Sequence, residues 1–287
     1  MRLASLYSGG KDSAFSLYIA EQRGHEVPYI VNIVPEDRAS WIFHTPNLNC
    51  VPRFAEAMGK ELVLGRSTGE EDSDMAGLRE ALDGLDVDGV VSGAVWSDYQ
   101  WDRMNMVCGD LGLKFIAPMW RKDQDMLLDE IIASGINAVI VGVYAEGFDE
   151  SWLGRRIDAE CARDLKKLRS KYGISIMGEG GEYESMALDA PMFSHGFAIG
   201  DCVKDMERNS GTLRVGSLVP LRAQLFMDSG SNIPSLSAFA VTLSDEQAIA
   251  AAASMGMWAN SPIPSRYGSP AAIGMHIALY TNARNRF

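Results

Sequence analysis

Through the first 120 residues, short apolar runs alternate with amphipathic segments. Residues 3–7 are an apolar run of strand length. Residues 12–23 carry Ala14, Leu17 and Tyr18 at helical spacing and end at Gly24, a helix stop. The β-branched run 29–34 predicts a second strand, buried on both faces. Residues 49–59 read as helix, 61–64 as strand, 75–82 as helix, 87–92 as a fourth strand, 98–111 as helix and 113–116 as a fifth strand ahead of Pro118. This alternation predicts a parallel sheet with helices on both faces.

After Pro118 the pattern changes. Residues 126–133 are amphipathic and helical, 138–143 form a strand, 158–172 form a charged amphipathic helix, and 178–185 are rich in glycine and glutamate. From 196 to 226, short alternating runs with Asn209-Ser210-Gly211 as a turn predict an antiparallel ribbon. The expected organisation is a parallel-sheet α/β domain over residues 1–117, a smaller α+β domain over 118–226 and an irregular tail over 227–287. The tail holds six charged residues, no lysine, and prolines at 234, 262, 264 and 270, a composition that predicts low order.

A chain of 287 residues, 47% hydrophobic and 22% charged, can bury a sizeable core. No apolar stretch is long enough for a membrane helix and no signal-peptide pattern precedes the first strand, so a cytoplasmic protein is expected. Cys50, Cys108, Cys161 and Cys202 lie far apart without a CxxC pair. That argues against a zinc ribbon or a disulfide framework and predicts free, buried thiols. The net charge of −12 disfavours general nucleic-acid binding. The basic residues Arg155, Arg156, Arg163, Lys166, Lys167, Arg169 and Lys171 read as a solvated helix face.

In open parallel sheets, ligands bind beyond the carboxyl ends of the strands. The connections there are residues 7–13, 35–47, 65–74 and 93–99. The first is Tyr7-Ser8-Gly9-Gly10-Lys11-Asp12-Ser13. Strand, glycine turn and helix together make a phosphate-binding arrangement. Two glycines let backbone N–H groups approach an anion. The helix N-terminus adds unpaired donors and positive potential, and Ser8, Lys11 and Ser13 add side-chain donors. The spacing is neither that of Walker A nor G-x-G-x-x-G. A plain glycine turn capping the next helix is the alternative. The acidic run 70–74 reads as a solvated helix start.

The first loop resembles the SGGxDS pyrophosphate loop (PP-loop) of ATP pyrophosphatases. Four further regions follow in order: His44-Thr45-Pro46-Asn47; Gly93-Ala94-Val95-Trp96-Ser97-Asp98-Tyr99-Gln100 with Arg103; Asp149-Glu150-Ser151-Trp152-Leu153-Gly154-Arg155; and Gly178-Glu179-Gly180-Gly181-Glu182-Tyr183-Glu184-Ser185 with Leu188-Asp189-Ala190-Pro191-Met192-Phe193. Together, over residues 1–226, these resemble the diphthine–ammonia ligase family; residues 227–287 lie outside its pattern. The resemblance implies a PP-loop, HUP-like nucleotide domain. It also implies an AMP-forming amide ligase that uses ATP, Mg²⁺ and ammonium on elongation factor 2 bearing diphthine, with no direct nucleic-acid contact and no membrane.

On that resemblance, Ser8, Gly9, Gly10, Lys11 and Ser13 hold the leaving phosphates, Lys11 also acting in catalysis. Two roles are open to Asp12: a Mg²⁺ ligand, or a charge at the helix N-terminus. His44 and Asn47 close over adenine or ribose; the alternative is local, Thr45-Pro46-Asn47 being a turn and helix-cap sequence. Tyr99 and Gln100 line the acceptor or ammonia site, while Asp98 caps its helix. Glu179 and Glu182 attract ammonium and take its proton, with Glu184 behind them; solvated acids in a glycine turn are the alternative. Trp152, Gly154 and Arg155 position the protein substrate or form ordinary interdomain core. Two rival functions are another PP-loop adenylase, either tRNA-modifying or a small-carboxylate amide ligase, and an ATP-binding sensor without chemistry.

Overall fold

The computed structural model describes residues 1–35 and 47–221, together with the backbone of 224–225 and 239–240. The apolar runs of the first half form strands β1 Arg2–Leu6, β2 Glu26–Pro35, β3 Glu61–Ser67, β4 Gly89–Val91 and β5 Lys114–Ile116. Between them lie helices α1 Lys11–Gln22, α2 Val51–Met58, α3 Glu71–Leu82 and α4 Asp98–Asp110. The strands are parallel, in the order β3-β2-β1-β4-β5. The order reverses at β1, which pairs with β2 on one side and β4 on the other. Reversal opens a crevice at the carboxyl end of β1, where its connection and that of β4 diverge.

One face of the sheet presents Ala4, Val31, Ile33 and Val90. It packs on Met75, Leu78 and Leu82 of α3 and on Met104, Val107 and Cys108 of α4. Alternation along the strands turns Leu3, Ser5, Ile30 and Asn32 to the other face. Leu3, Ile30, Leu17 of α1 and Phe54 of α2 are all fully buried. The sheet is thus covered on both sides, as its near-continuous apolar strands require.

The second half supplies α5 Gln124–Ala133, β6 Asn137–Val143, α6 Ala159–Tyr172, β7 Tyr183–Asp189, β8 Phe197–Ile199, β9 Cys202–Glu207, β10 Ser210–Val215 and β11 Leu218–Pro220. A four-stranded sheet runs β7-β6-β10-β9, with β6 antiparallel to both neighbours. All seven residues of β6 are buried. Strands β8 and β11 form a separate antiparallel pair. The chain divides into two compact units, residues 1–194 with 203–214, and residues 195–202 with 215–287.

Two local expectations are corrected. Over its described residues 196–221 the expected ribbon is divided: β9 and β10 join the four-stranded sheet, while β8 and β11 pair apart from it, and the β9–β10 hairpin turns at Arg208 and Asn209, with Arg208 at φ 54°; Ser210 and Gly211 already belong to β10. The glycine–glutamate stretch is a turn only to residue 182, after which Tyr183 begins β7. Its partner β6 lies far back in the chain, so no local pattern announces the pairing. Four cations of the predicted basic face in and before α6 are in ion pairs: Arg155 and Lys167 with Asp164, Lys166 and Arg169 with Asp125. Among the described residues, no helix is long and apolar enough to cross a membrane. The expected low order of residues 227–287 falls outside the described residues, apart from the backbone of 239–240.

All four cysteines are free; Cys50, Cys108 and Cys161 are buried, whereas Cys202 is exposed, against the expectation of uniformly buried thiols. Burial pushes the Cys50 and Cys108 thiols up to about 11 and that of Cys161 up to about 12. In the unfolded chain these groups ionise near the ordinary thiol value, so above it the folded state holds more protons. Stability from this source is complete below roughly pH 8.5 and is lost as pH climbs toward the folded values. Urea midpoints at a series of pH values from 7.5 to about 10.5 will therefore fall at the alkaline end. Cys161→Ala is expected to flatten the decline by up to about 1.4 kcal/mol per pH unit; an unchanged slope would contradict the assignment.

Candidate active site

The connection after β1 is shaped by one glycine in particular. Gly9 has φ +88°, and a Cβ on it would meet the Phe54 ring at 3.2 Å. The chain turns there without a side chain and enters α1 through Gly10, which has no side-chain cap. The hydroxyls of Ser8 and Ser13 lie 3.3 Å apart, and Ser13 Oγ donates to Gly10 O at 3.0 Å. On the far side of the crevice, Gly93 follows β4. A Cβ there would sit 2.8 Å from the backbone of Asp12 and Ser13, so glycine permits the two connections to close on each other.

These pieces line one cleft, open to solvent. Its polar wall includes Ser8, Asp12, Ser13, Gln100 and Glu179, and its apolar wall Leu6, Val31, Ile33, Ala94 and Met104. Five predicted site side chains therefore share a single cleft. Asp12 Oδ1 is buried and has no hydrogen-bond partner among the described residues. Among those residues no cluster of three or more His, Cys, Asp or Glu could hold a metal. A hard cation here fits one carboxylate plus the oxygens of a bound phosphate chain, the usual arrangement for Mg²⁺ beside nucleotides.

Lys11 is elsewhere. Its side chain is buried, with only 1% of the residue exposed. Its ammonium donates to Asp12 Oδ2 at 2.8 Å and to Met177 O at 2.6 Å, and lies 4.9 Å from the centre of the Tyr183 ring. Burial by itself lowers its pKa; Asp12, Tyr183 and Glu179 outweigh that, and the net direction is up. Two backbone links run alongside. Lys11 N donates to Ser185 Oγ at 3.1 Å, and Ala187 N donates to Gly9 O at 2.8 Å. The connection after β1 and the start of α1 are thus bonded at three points to residues 177–187.

That stretch has its own internal order. Glu182 accepts from Ser175 N at 2.7 Å and from Gly180 N at 2.8 Å, so its carboxylate fixes the glycine turn. Glu179 accepts from Trp96 N at 3.1 Å, joining the turn to the connection after β4. Tyr183 donates to Ile176 O at 2.7 Å. Of the predicted pair, Glu179 lines the cleft and Glu182 supports the turn behind it.

The remaining predicted residues are divided. Ser97, rather than Asp98, caps α4 by accepting from Gln100 N; Asp98 instead pairs with Arg121 at 2.6 Å. Tyr99 donates to Glu71 at 2.6 Å and stacks beneath Arg103, 3.3 Å from guanidinium carbon to ring centre. Its hydroxyl, together with Arg103, holds the Glu71 carboxyl below its ordinary value. The acidic run 70–74 is therefore only partly solvated; Asp74 is buried and accepts from Ser67 Oγ. Asn47 sits at φ 62° and donates to Leu213 O at 2.9 Å. His44 lies outside the described residues. Trp152 is core, edge-on to Phe148 at 4.9 Å, with Arg155 over its ring.

Sequence reasoning passed over Asn32, Met177 and the direction of the Lys11 side chain. Asn32 had a signal, as the one polar residue within the apolar run 30–34. Met177 had none, since it contributes only a carbonyl.

The buried ammonium makes a test of this geometry. Lys11→Met keeps the length of the side chain and removes its charge, leaving Asp12 and the Met177 carbonyl without their donor. Because Asp12 is partly exposed, the expected loss is about 2–4 kcal/mol, somewhat under that for a fully buried pair. Urea unfolding measures it; a loss below about 0.5 kcal/mol would contradict the burial of the ammonium between Asp12 and the Met177 carbonyl.

Compared with known proteins, residues 1–115 match the family model of the diphthamide synthase N-terminal domain, and residues 123–219 that of the diphthamide synthase C-terminal domain. A diphthine–ammonia ligase of Danio rerio is 38% identical over 215 residues, 67% of this chain and 84% of the relative. The proteins of that name from Rattus norvegicus and Homo sapiens are 36% and 35% identical over 216 residues, 67% of this chain and 80% of each relative.

Proposed function

The chain belongs to the diphthine–ammonia ligase family, and on that premise we propose that it converts the carboxylate of diphthine on elongation factor 2 to the amide, using ATP and ammonium. In this reading residues 1–117 hold the nucleotide and residues 118–226 form the acceptor side. The work takes place in the cytoplasm, where the elongation factor acts.

One observation carries the reading: Glu179 shares a cleft with Ser8, Asp12 and Ser13. A phosphate loop alone fits any nucleotide binder. A carboxylate brought into the same cleft from 166 residues away, a span given by the Lys11–Met177 bond beside it, is a feature a passive sensor does not need.

The chemistry follows from the acceptor. A carboxylate is a poor electrophile and must first gain a leaving group. Its oxygen attacks the α-phosphorus of ATP, and the bond to the β-phosphate oxygen breaks to release pyrophosphate. Ser8, Gly9, Gly10 and Ser13 present donors to the leaving phosphates, prepositioned by the turn. Mg²⁺, when bound, neutralises phosphate charge, and Asp12 is the residue that would hold it. Lys11 positions rather than touches: it fixes Asp12 and the glycine turn relative to the loop.

Glu179 attracts ammonium and accepts its proton, leaving ammonia to attack the activated carbonyl carbon as AMP departs. Gln100 faces the same cleft and offers an amide to the acceptor. Tyr99 acts through Glu71 and Arg103 at the start of α4, and Glu182 through the turn. Asn47 and His44 remain candidates for the nucleoside side.

The test is product analysis with ATP, Mg²⁺, ammonium and diphthine-bearing elongation factor 2. AMP and pyrophosphate are expected, with the factor one mass unit lighter as OH gives way to NH₂. ADP as product, or turnover that needs tRNA, would contradict the reading. Ser8→Ala is expected to slow turnover by about 10²-fold, the effect of a lost transition-state donor. Glu179→Gln is expected to leave ATP affinity within about threefold while cutting amide formation by about 10²-fold or more. If ATP affinity falls instead and ammonium use is normal, the role given to Glu179 is wrong.

A further inference from the structure

Asn32 sits in the carboxyl-terminal half of β2, on the strand face opposite the α3 and α4 core. It is 5% exposed and lines the cleft. Its Nδ2 donates to Tyr7 O at 2.8 Å, one residue ahead of the phosphate loop. A backbone carbonyl can only accept, so the amide has one chemically sensible orientation, with nitrogen toward Tyr7. Its oxygen is therefore committed to the other side. That Oδ1 is buried and has no partner among the described residues.

A buried acceptor without a donor is costly, and proteins seldom retain one without a use. Here the surroundings say what use. The phosphates of a nucleotide carry acceptors at neutral pH and would be repelled by an amide oxygen. The donors of a nucleotide lie on its nucleoside. The cleft's apolar wall, with Leu6, Val31, Ile33 and Met104, suits the flat face of a base.

Resting on the nucleotide reading above, we infer that Asn32 is a specificity-determining residue that accepts a hydrogen bond from the bound nucleoside. The donor is the 6-amino group of adenine or a ribose hydroxyl. Held by Tyr7, Asn32 cannot rotate to offer its nitrogen instead. A base with a carbonyl at position 6 would meet acceptor against acceptor, and a sugar lacking the hydroxyl would leave Oδ1 unpaired.

The experiment is isothermal titration of the full chain with Mg²⁺ and each of ATP, inosine triphosphate, 2′-deoxy-ATP and 3′-deoxy-ATP, without acceptor protein. The wild type is expected to bind at least one analogue about 10-fold more weakly than ATP, the effect of one lost buried hydrogen bond. Asn32→Leu is expected to weaken ATP and to bring that analogue and ATP within about twofold of each other. Collapse of the inosine gap identifies the amino group; collapse of a deoxy gap identifies the hydroxyl. Equal loss for all four nucleotides, or no loss, would overturn the inference while leaving the ligase reading in place. Failure of the wild type to bind ATP would overturn both. Circular dichroism melts report whether Asn32→Leu folds, and Asn32→Ala answers the same question if it does not.

Discussion

A buried ammonium decides how the two halves of the site meet. Lys11 stands at the start of α1, where its side chain is removed from water. A charge so placed is tolerated only with close polar partners, since its uncompensated burial costs several kcal/mol. Asp12 is one partner; the carbonyl of Met177 and the face of Tyr183 are the others. The last two come from the second half of the chain. The connection after β1 is therefore held directly against the glycine–glutamate turn.

In the proposed reaction, catalysis draws on that constraint. A loop whose backbone is bonded to Ser185 and Ala187 has little freedom left to lose when a nucleotide arrives. Its donors are set before the reaction rather than during it, which is where preorganised sites gain their advantage. The same bonds bring Glu179 into the cleft, and Trp96 N ties that carboxylate to the connection after β4. In the proposed mechanism, activation of the acid and delivery of ammonia then share one cleft, with no transfer between distant sites.

Much of this was legible in the sequence. The alternation of runs gave the five parallel strands, and the order of motifs identified the family. Local signals failed where a residue's role is set by a distant partner. Lys11 in a phosphate-loop motif looks like a phosphate ligand, and only the fold turns its ammonium toward Met177. Glu182 and Glu179 look alike in a run of glycines and acids. What separates them is that two turn amides reach Glu182, while the amide of Trp96 reaches Glu179. The Asn32 amide was visible as a polar break in a buried strand, yet its meaning depends on Tyr7 O across the ladder. Strand β7 needed β6, which no nearby pattern could supply.

In the proposed reaction this cleft joins the acceptor carboxylate directly to the α-phosphorus. Oxygen tracing tests it. With ¹⁸O in the diphthine carboxylate of elongation factor 2, attack on the α-phosphorus must leave one labelled oxygen in AMP once the amide forms. Label is expected in AMP and none in pyrophosphate. Label in inorganic phosphate, or amide formation with unlabelled AMP, would contradict it.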